Sequence, residues 1–135
     1  MAFNKKSEVY LKEIEEIHQG KVYDLDTLSK VIESNYGTTV YDLRHSEARV
    51  KDPNAKQRHL FCAIALCLPI GYSPDEVAVY LKTNKSRVFA MSRLFRREFQ
   101  RAIFYRYEHI HKKYAAFFEK ELTEKTRRNI INLFK

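Results

Sequence analysis

The sequence predicts an all-α protein: a helical bundle containing a helix-turn-helix, continued by a long C-terminal helical arm. Three observations carry that expectation. The 135 residues include only 3 Gly and 3 Pro, so few positions favour a break in helical structure. Apolar residues recur at helical spacing in one segment after another. The stretch from Tyr72 to Phe99, YSPDEVAVYLKTNKSRVFAMSRLFRREF, sets a short capped helix, a tight polar turn and a longer amphipathic helix in direct succession.

Taken in order, Ser7 opens a first helix, SEVYLKEIEEIHQ, on which Val9, Tyr10, Leu11, Ile14 and Ile17 form one apolar side before Gly20 ends it. Asp24 or Asp26 caps the next helix, which runs through Leu28, Val31 and Ile32 to Tyr36-Gly37. Thr38 to Leu43 has strand-like composition, but Val40 to Arg44 reads as one helical turn. His45 to Asp52, closed by Pro53, is a polar exposed loop carrying Arg49 and Lys51. Asn54 to Leu68, NAKQRHLFCAIALCL, has a polar first turn followed by nearly continuous apolar residues. That pattern marks a helix buried on most sides, stopped by Pro69 and Gly71.

In the helix-turn-helix, Ser73 is the N-cap, Pro74 fits the first turn, and Asp75 and Glu76 put negative charge beside its unpaired amides. Val77, Ala78 and Leu81 face inward, and Lys82-Thr83-Asn84-Lys85 supplies the turn. The second helix begins near Lys85 or Ser86. Its apolar set Val88, Met91, Phe95, Phe99 and Ala102 keeps to one side, with Ser86, Ala90, Arg93, Arg97 and Arg101 opposite. Leu60, Ile64, Leu68, Val77, Leu81, Val88, Met91 and Phe95 are the expected core. Beyond it, Arg101 to Leu122 reads as one long helix with a 4-3-4-3 seam of Ile103, Tyr107, Ile110, Tyr114 and Phe117. Either residues 7 to 33 or a second copy of the chain covers that seam. A last helix, Thr123 to Phe134, is capped by Thr123 and presents Ile130, Ile131 and Phe134. The chain thus divides into an N-terminal helix at 1–23, a helix-turn-helix domain at 24–100 and a C-terminal helical extension at 101–135.

Charge is unevenly distributed along these elements. Residues 1–47 carry 6 basic and 9 acidic groups, net −3, whereas residues 48–135 carry 19 and 8, net +11. Between Lys82 and Arg101 seven Lys or Arg face a single acid, Glu98. Such a basic half points to a polyanion, with nucleic acid ahead of a membrane surface. Met1 to Lys6 leads into a charged helix rather than a signal peptide, and no apolar run reaches the length of a membrane span. Cys62 and Cys67 lie five apart within LFCAIALCL, a poor geometry for a disulfide and too sparse for a metal site. They read as two buried free thiols of a reducing cytoplasm. His45, His59, His109 and His111 form no metal set, and no nucleophilic or acid/base constellation is present, so neither enzyme activity nor a cofactor is expected.

Residues 25–100 resemble the C-terminal DNA-binding domain of the DnaA replication initiator. Tyr36-Gly37-Thr38-Thr39-Val40-Tyr41-Asp42-Leu43 resembles that family's aromatic-Gly-Val-Ser turn and Asp-Leu pair. Ala55-Lys56-Gln57 is similar to the Ala-Arg-Gln start of its long apolar helix. Ser73-Pro74-Asp75-Glu76-Val77 looks like its Ser-x-x-Glu-Ile, and Thr83-Asn84-Lys85-Ser86-Arg87-Val88 like its Arg-Asp-His-Thr-Thr-Val. The resemblance implies a Trp-repressor-like helix-turn-helix, double-stranded DNA as partner, and a role in replication initiation or its regulation. Asn84-Lys85 stands where the family has its base-reading Asp-His pair, and Leu81-Lys82-Thr83 where it has Gly-Gly-Arg. The chain carries no Gly-rich phosphate loop, so the family's ATPase module is missing.

The expected DNA contacts follow from both lines. Asn84, Lys85, Ser86, Arg87, Arg93 and Arg97 are candidates for the major groove, with Lys85 or Arg87 addressing guanine and Asn84 adenine, and Lys82 and Thr83 in the turn are further DNA-contact candidates. Arg96 and Arg101 suit phosphates, and Lys56, Gln57 and Arg58 suit a phosphate clamp at the start of the apolar helix. Arg49 and Lys51 add a basic loop contact. The competing reading is a protein-protein interaction module that keeps the fold and binds a partner, or a second copy, through the aromatic-rich residues 101–135.

Overall fold

Helix starts after Asp24, Thr39, Ser73, Asn84 and Thr123 each follow from a local side-chain oxygen. The computed structural model describes residues 22, 24–45, 54–68, 71–104 and 108–133, with the side chains of 102–104, 108 and 110 excepted. The expected helix at Ser7–Gln19 and the loop residues Arg49 and Lys51 lie outside the described residues. The described residues form seven helices: α1 (Leu25–Tyr36), α2 (Val40–Arg44), α3 (Ala55–Ala65), α4 (Pro74–Tyr80), α5 (Lys85–Phe104), α6 (Glu108–Glu121) and α7 (Glu124–Leu133). Among the described residues there is no strand, only a parallel bridge between Val22 and Leu122 in which the Val22 amide donates to the Glu121 carbonyl at 2.8 Å.

Asp24, not Asp26, caps α1: its Oδ1 accepts from the Thr27 amide at 2.7 Å. Gly37 closes that helix at φ 74, the left-handed geometry glycine adopts without a Cβ penalty. Thr39 and Asp42 form a reciprocal capping box, which makes Val40–Arg44 helical rather than extended. Ser73 and Glu76 repeat the device at α4, with Pro74 inside the first turn. Thr123 caps α7, accepting from the Thr126 amide at 3.2 Å. Helix α3 stops three residues short of the expected Leu68, because Leu68 precedes Pro69 and the residue before a proline is pushed out of the helical region.

Leu60 to Ala65 are each at most 1% exposed, so α3 is enclosed on all sides at that level. Helices α1, α5 and α7 pack on it, and α4 and α6 pack on α5. All eight residues expected in the core are buried there. Cys62 and Cys67 are buried free thiols, and burial raises their pKa values to about 12 and about 11.

The C-terminal arm departs from expectation. A single helix rises 1.5 Å per residue, which would set Phe99 and Phe118 roughly 28 Å apart. Their ring centroids are 5.5 Å apart instead, because α6 runs back along α5. Phe95 meets Tyr114 edge-on at 5.1 Å, and Tyr36 of α1 meets Phe117 at 6.0 Å. The seam residues Tyr114 and Phe117 are thus covered by α5 and the end of α1 within one chain. Ile103, Tyr107 and Ile110 lie outside the residues whose side chains are described.

Leu81 is 1% exposed at the joint between α4 and α5. Leu81→Ala lowers unfolding free energy by about 2–5 kcal/mol, measured by urea denaturation; a loss below about half a kcal/mol would show that this joint is not part of the core.

Candidate nucleic-acid interface

The turn between α4 and α5 is built from backbone. The Thr83 amide donates to the Ala78 carbonyl at 2.9 Å and the Lys82 amide to the Val79 carbonyl at 3.2 Å, the paired bonds of a Schellman closure. Lys82 occupies the position where glycine is usual, and it takes φ 53. Asn84 then starts α5, its Oδ1 accepting from the Arg87 amide at 2.9 Å. That oxygen is also the one a bidentate pairing with adenine would use, so one of its two lone pairs is already committed to positioning the helix.

Helix α5 carries one buried and one open side. Val88, Met91, Phe95 and Phe99 are buried. Lys85, Ser86, Ala90, Arg93, Arg97 and Arg101 are exposed, as is Lys82 in the turn. Arg93, Arg97 and Arg101 follow at one-turn intervals, about 6 Å of rise apiece. Arg87 is also exposed, though its charge reaches back to Cys62, where it opposes the burial that raises the thiol pKa. The Thr83 side chain is half-buried with its hydroxyl inward, so it supports the turn.

Two residues expected at phosphates, Arg58 and Arg96, are engaged by backbone carbonyls, whereas Lys56 keeps an exposed side chain. Arg58 is 5% exposed. Its Nε donates to the Leu43 carbonyl at 3.0 Å and its Nη2 to the Asp42 carbonyl at 2.9 Å, binding the last carbonyls of α2 to α3. A guanidinium engaged in this way satisfies a helix terminus and is not a phosphate clamp. Arg96 is half-buried and donates from Nη2 to the Leu133 carbonyl, holding the C-terminal end of α7. Lys56 pairs with Glu98 at 3.3 Å.

With Gln57, the Lys56–Glu98 pair lines a cavity of about 230 Å³ that Tyr36, Lys113 and Tyr114 complete. Burial pushes the Tyr36 hydroxyl up to about 12 and raises that of Tyr114, so both phenols stay protonated at neutral pH. Lys113 lies 4.5 Å from the Tyr36 ring centroid, a cation–π contact. Among the described residues no three of His, Cys, Asp and Glu converge as a metal site.

Sequence patterning missed Phe89. It is 41% exposed on the open side of α5, beside Ser86 and Arg93, and Leu94 is 43% exposed on the same helix. The one signal available was phase: Phe89 follows buried Val88 and falls about 100° round the helix from it.

No family model, curated protein or solved structure matches this chain.

Two variants test this geometry. Lys82→Gly raises stability by roughly 0.5–1 kcal/mol in thermal or urea unfolding, the relief of left-handed strain less glycine's extra freedom in the unfolded chain; a loss would mean that Lys82 gains more from its contacts than its backbone costs. Arg58→Met removes charged hydrogen bonds and costs about 1.5–3 kcal/mol of stability, while the salt dependence of any polyanion binding stays unchanged. A flatter salt slope in folded Arg58→Met would return Arg58 to the binding surface.

Proposed function

We propose that this chain binds double-stranded DNA through a helix-turn-helix formed by α4, the Leu81–Asn84 turn and α5. The observation that carries the reading is the open side of α5, where Arg93, Arg97 and Arg101 lie opposite a fully packed apolar stripe. Lys82, Lys85 and Ser86 extend that side to the start of the helix, the part from which recognition helices reach base edges. Small Ser86 and Ala90 let the helix approach a groove wall. The order of the DnaA-like segments supports the same assignment and suggests a regulator or accessory factor of replication acting in the cytoplasm. Lys85 is the candidate reader of guanine, and Arg93, Arg97 and Arg101 are divided between base edges and phosphates.

The reading as a protein-interaction module has less exposed surface to draw on. Tyr114 and Phe117, two of the aromatic residues it would use, are already covered by α5 and α1 within the chain.

A mobility-shift titration with random duplex at two salt concentrations tests the proposal. The wild-type chain binds, and affinity falls steeply with salt. Replacing both Arg93 and Arg97 by Ala weakens binding without unfolding the protein. Each lost phosphate contact flattens the log–log salt slope by about 0.9, whereas a lost base contact costs about 1–3 kcal/mol and relaxes specificity at one position. Unchanged affinity in the folded double variant would remove this side of α5 from consideration.

A further inference from the structure

Phe61, Phe95, Phe99 and Phe117 are buried, yet Phe89 leaves 41% of its surface open. It stands one turn after Ser86 and one turn before Arg93 on α5. Its ring lines a groove of about 440 Å³ that α5 shares with Leu66 and Cys67 at the end of α3 and Leu133 at the end of α7. Arg93 and Arg96 flank the same groove. The Arg96 guanidinium is held there by the Leu133 carbonyl, so its position is fixed by the fold.

An occupant of this site must be apolar where it meets Phe89 and anionic around that point. The major groove of DNA offers that combination at thymine, whose C5-methyl group projects into the groove between two rows of phosphates. An acidic protein segment with apolar side chains has similar chemistry. The duplex is favoured because the positive stripe continues beyond the groove through Arg97 to Arg101, along the length of α5, which suits a long rod of charge better than a short peptide.

We propose that Phe89 is a specificity residue that packs on the C5-methyl group of a pyrimidine in the major groove, that of thymine or 5-methylcytosine. The inference rests on the DNA-binding reading and adds to it a preference that charge alone does not supply. Arginine and lysine distinguish guanine by its acceptors, whereas an aromatic ring distinguishes a methylated from an unmethylated C5.

The test changes the DNA before it changes the protein. Duplexes of alternating A·T and A·U sequence differ only in the C5-methyl groups. The full chain binds the thymine duplex more tightly, by about fourfold for each methyl group contacted, from about 0.8 kcal/mol per buried methyl-sized group. Methylating C5 of the cytosines in a G·C duplex raises affinity by a similar factor. Phe89→Ala binds thymine and uracil duplexes alike with an unaltered salt slope, and Phe89→Leu, which keeps an apolar side chain should alanine fail to fold, retains part of the discrimination. Equal, salt-dependent binding of both duplexes by the wild-type chain overturns this inference and leaves the DNA-binding reading standing. Failure to bind any duplex overturns both. Competition by a synthetic Glu/Leu peptide that requires Phe89, with thymine and uracil duplexes bound alike, makes the groove a protein-docking site and ends the proposal.

Discussion

Six successive residues of α3, Leu60 to Ala65, have essentially no solvent contact, and a helix without a wet side needs neighbours all round it. That requirement organises the rest of the molecule. Helices α1, α5 and α7 supply the neighbours, and Arg58 at the base of α3 ties α2 in through two backbone carbonyls. Burying an arginine is costly unless its donors are satisfied, and here the last carbonyls of α2 provide the acceptors. One interaction thus meets two needs that would each be unfavourable alone.

Helix α5 meets the opposite requirement. It must fill the core with Val88, Met91, Phe95 and Phe99 and still leave a continuous side open. The return of α6 makes this compatible with a long helix. Phe118 and Tyr114 close over the distal half of the apolar stripe, while α3 closes over the proximal half. The side that carries Arg93, Arg97 and Arg101 stays open, and the ends of α3 and α7 reach only its flank at Phe89 and Arg96. Arg96 lies at the boundary, its head group turned to the end of α7.

Features that depend on residues three or four apart could be read from the sequence. Ser73 and Thr123, expected as N-caps, and Asp24, one of two candidates for α1, each accept from an amide three positions on, and the pattern of polar oxygen before an apolar run points to them. The core stripe of α5 was readable for the same reason, since phase along one helix needs no knowledge of the others. What was not readable depends on distant partners. Arg58 and Arg96 look like surface cations beside their sequence neighbours, yet their acceptors lie 15 and 37 residues away. A heptad seam shows that something covers it but not which direction the covering helix comes from, so the fold-back onto Phe95 and Phe99 was hidden. Phe89 was hidden too, because a residue just off a buried stripe is exposed only if no neighbour happens to occupy that side.

The bridge between Val22 and Leu122 is small, yet it joins positions 100 apart in the chain (122 − 22). Closing a loop of that length from an open chain costs about 4 kcal/mol in configurational entropy, far more than one backbone hydrogen bond returns. The bridge therefore forms only after the intervening helices have assembled and brought the two positions together. It is a latch on a finished ring, and because Val22 and Leu122 are both buried, opening it also exposes two apolar side chains of the core.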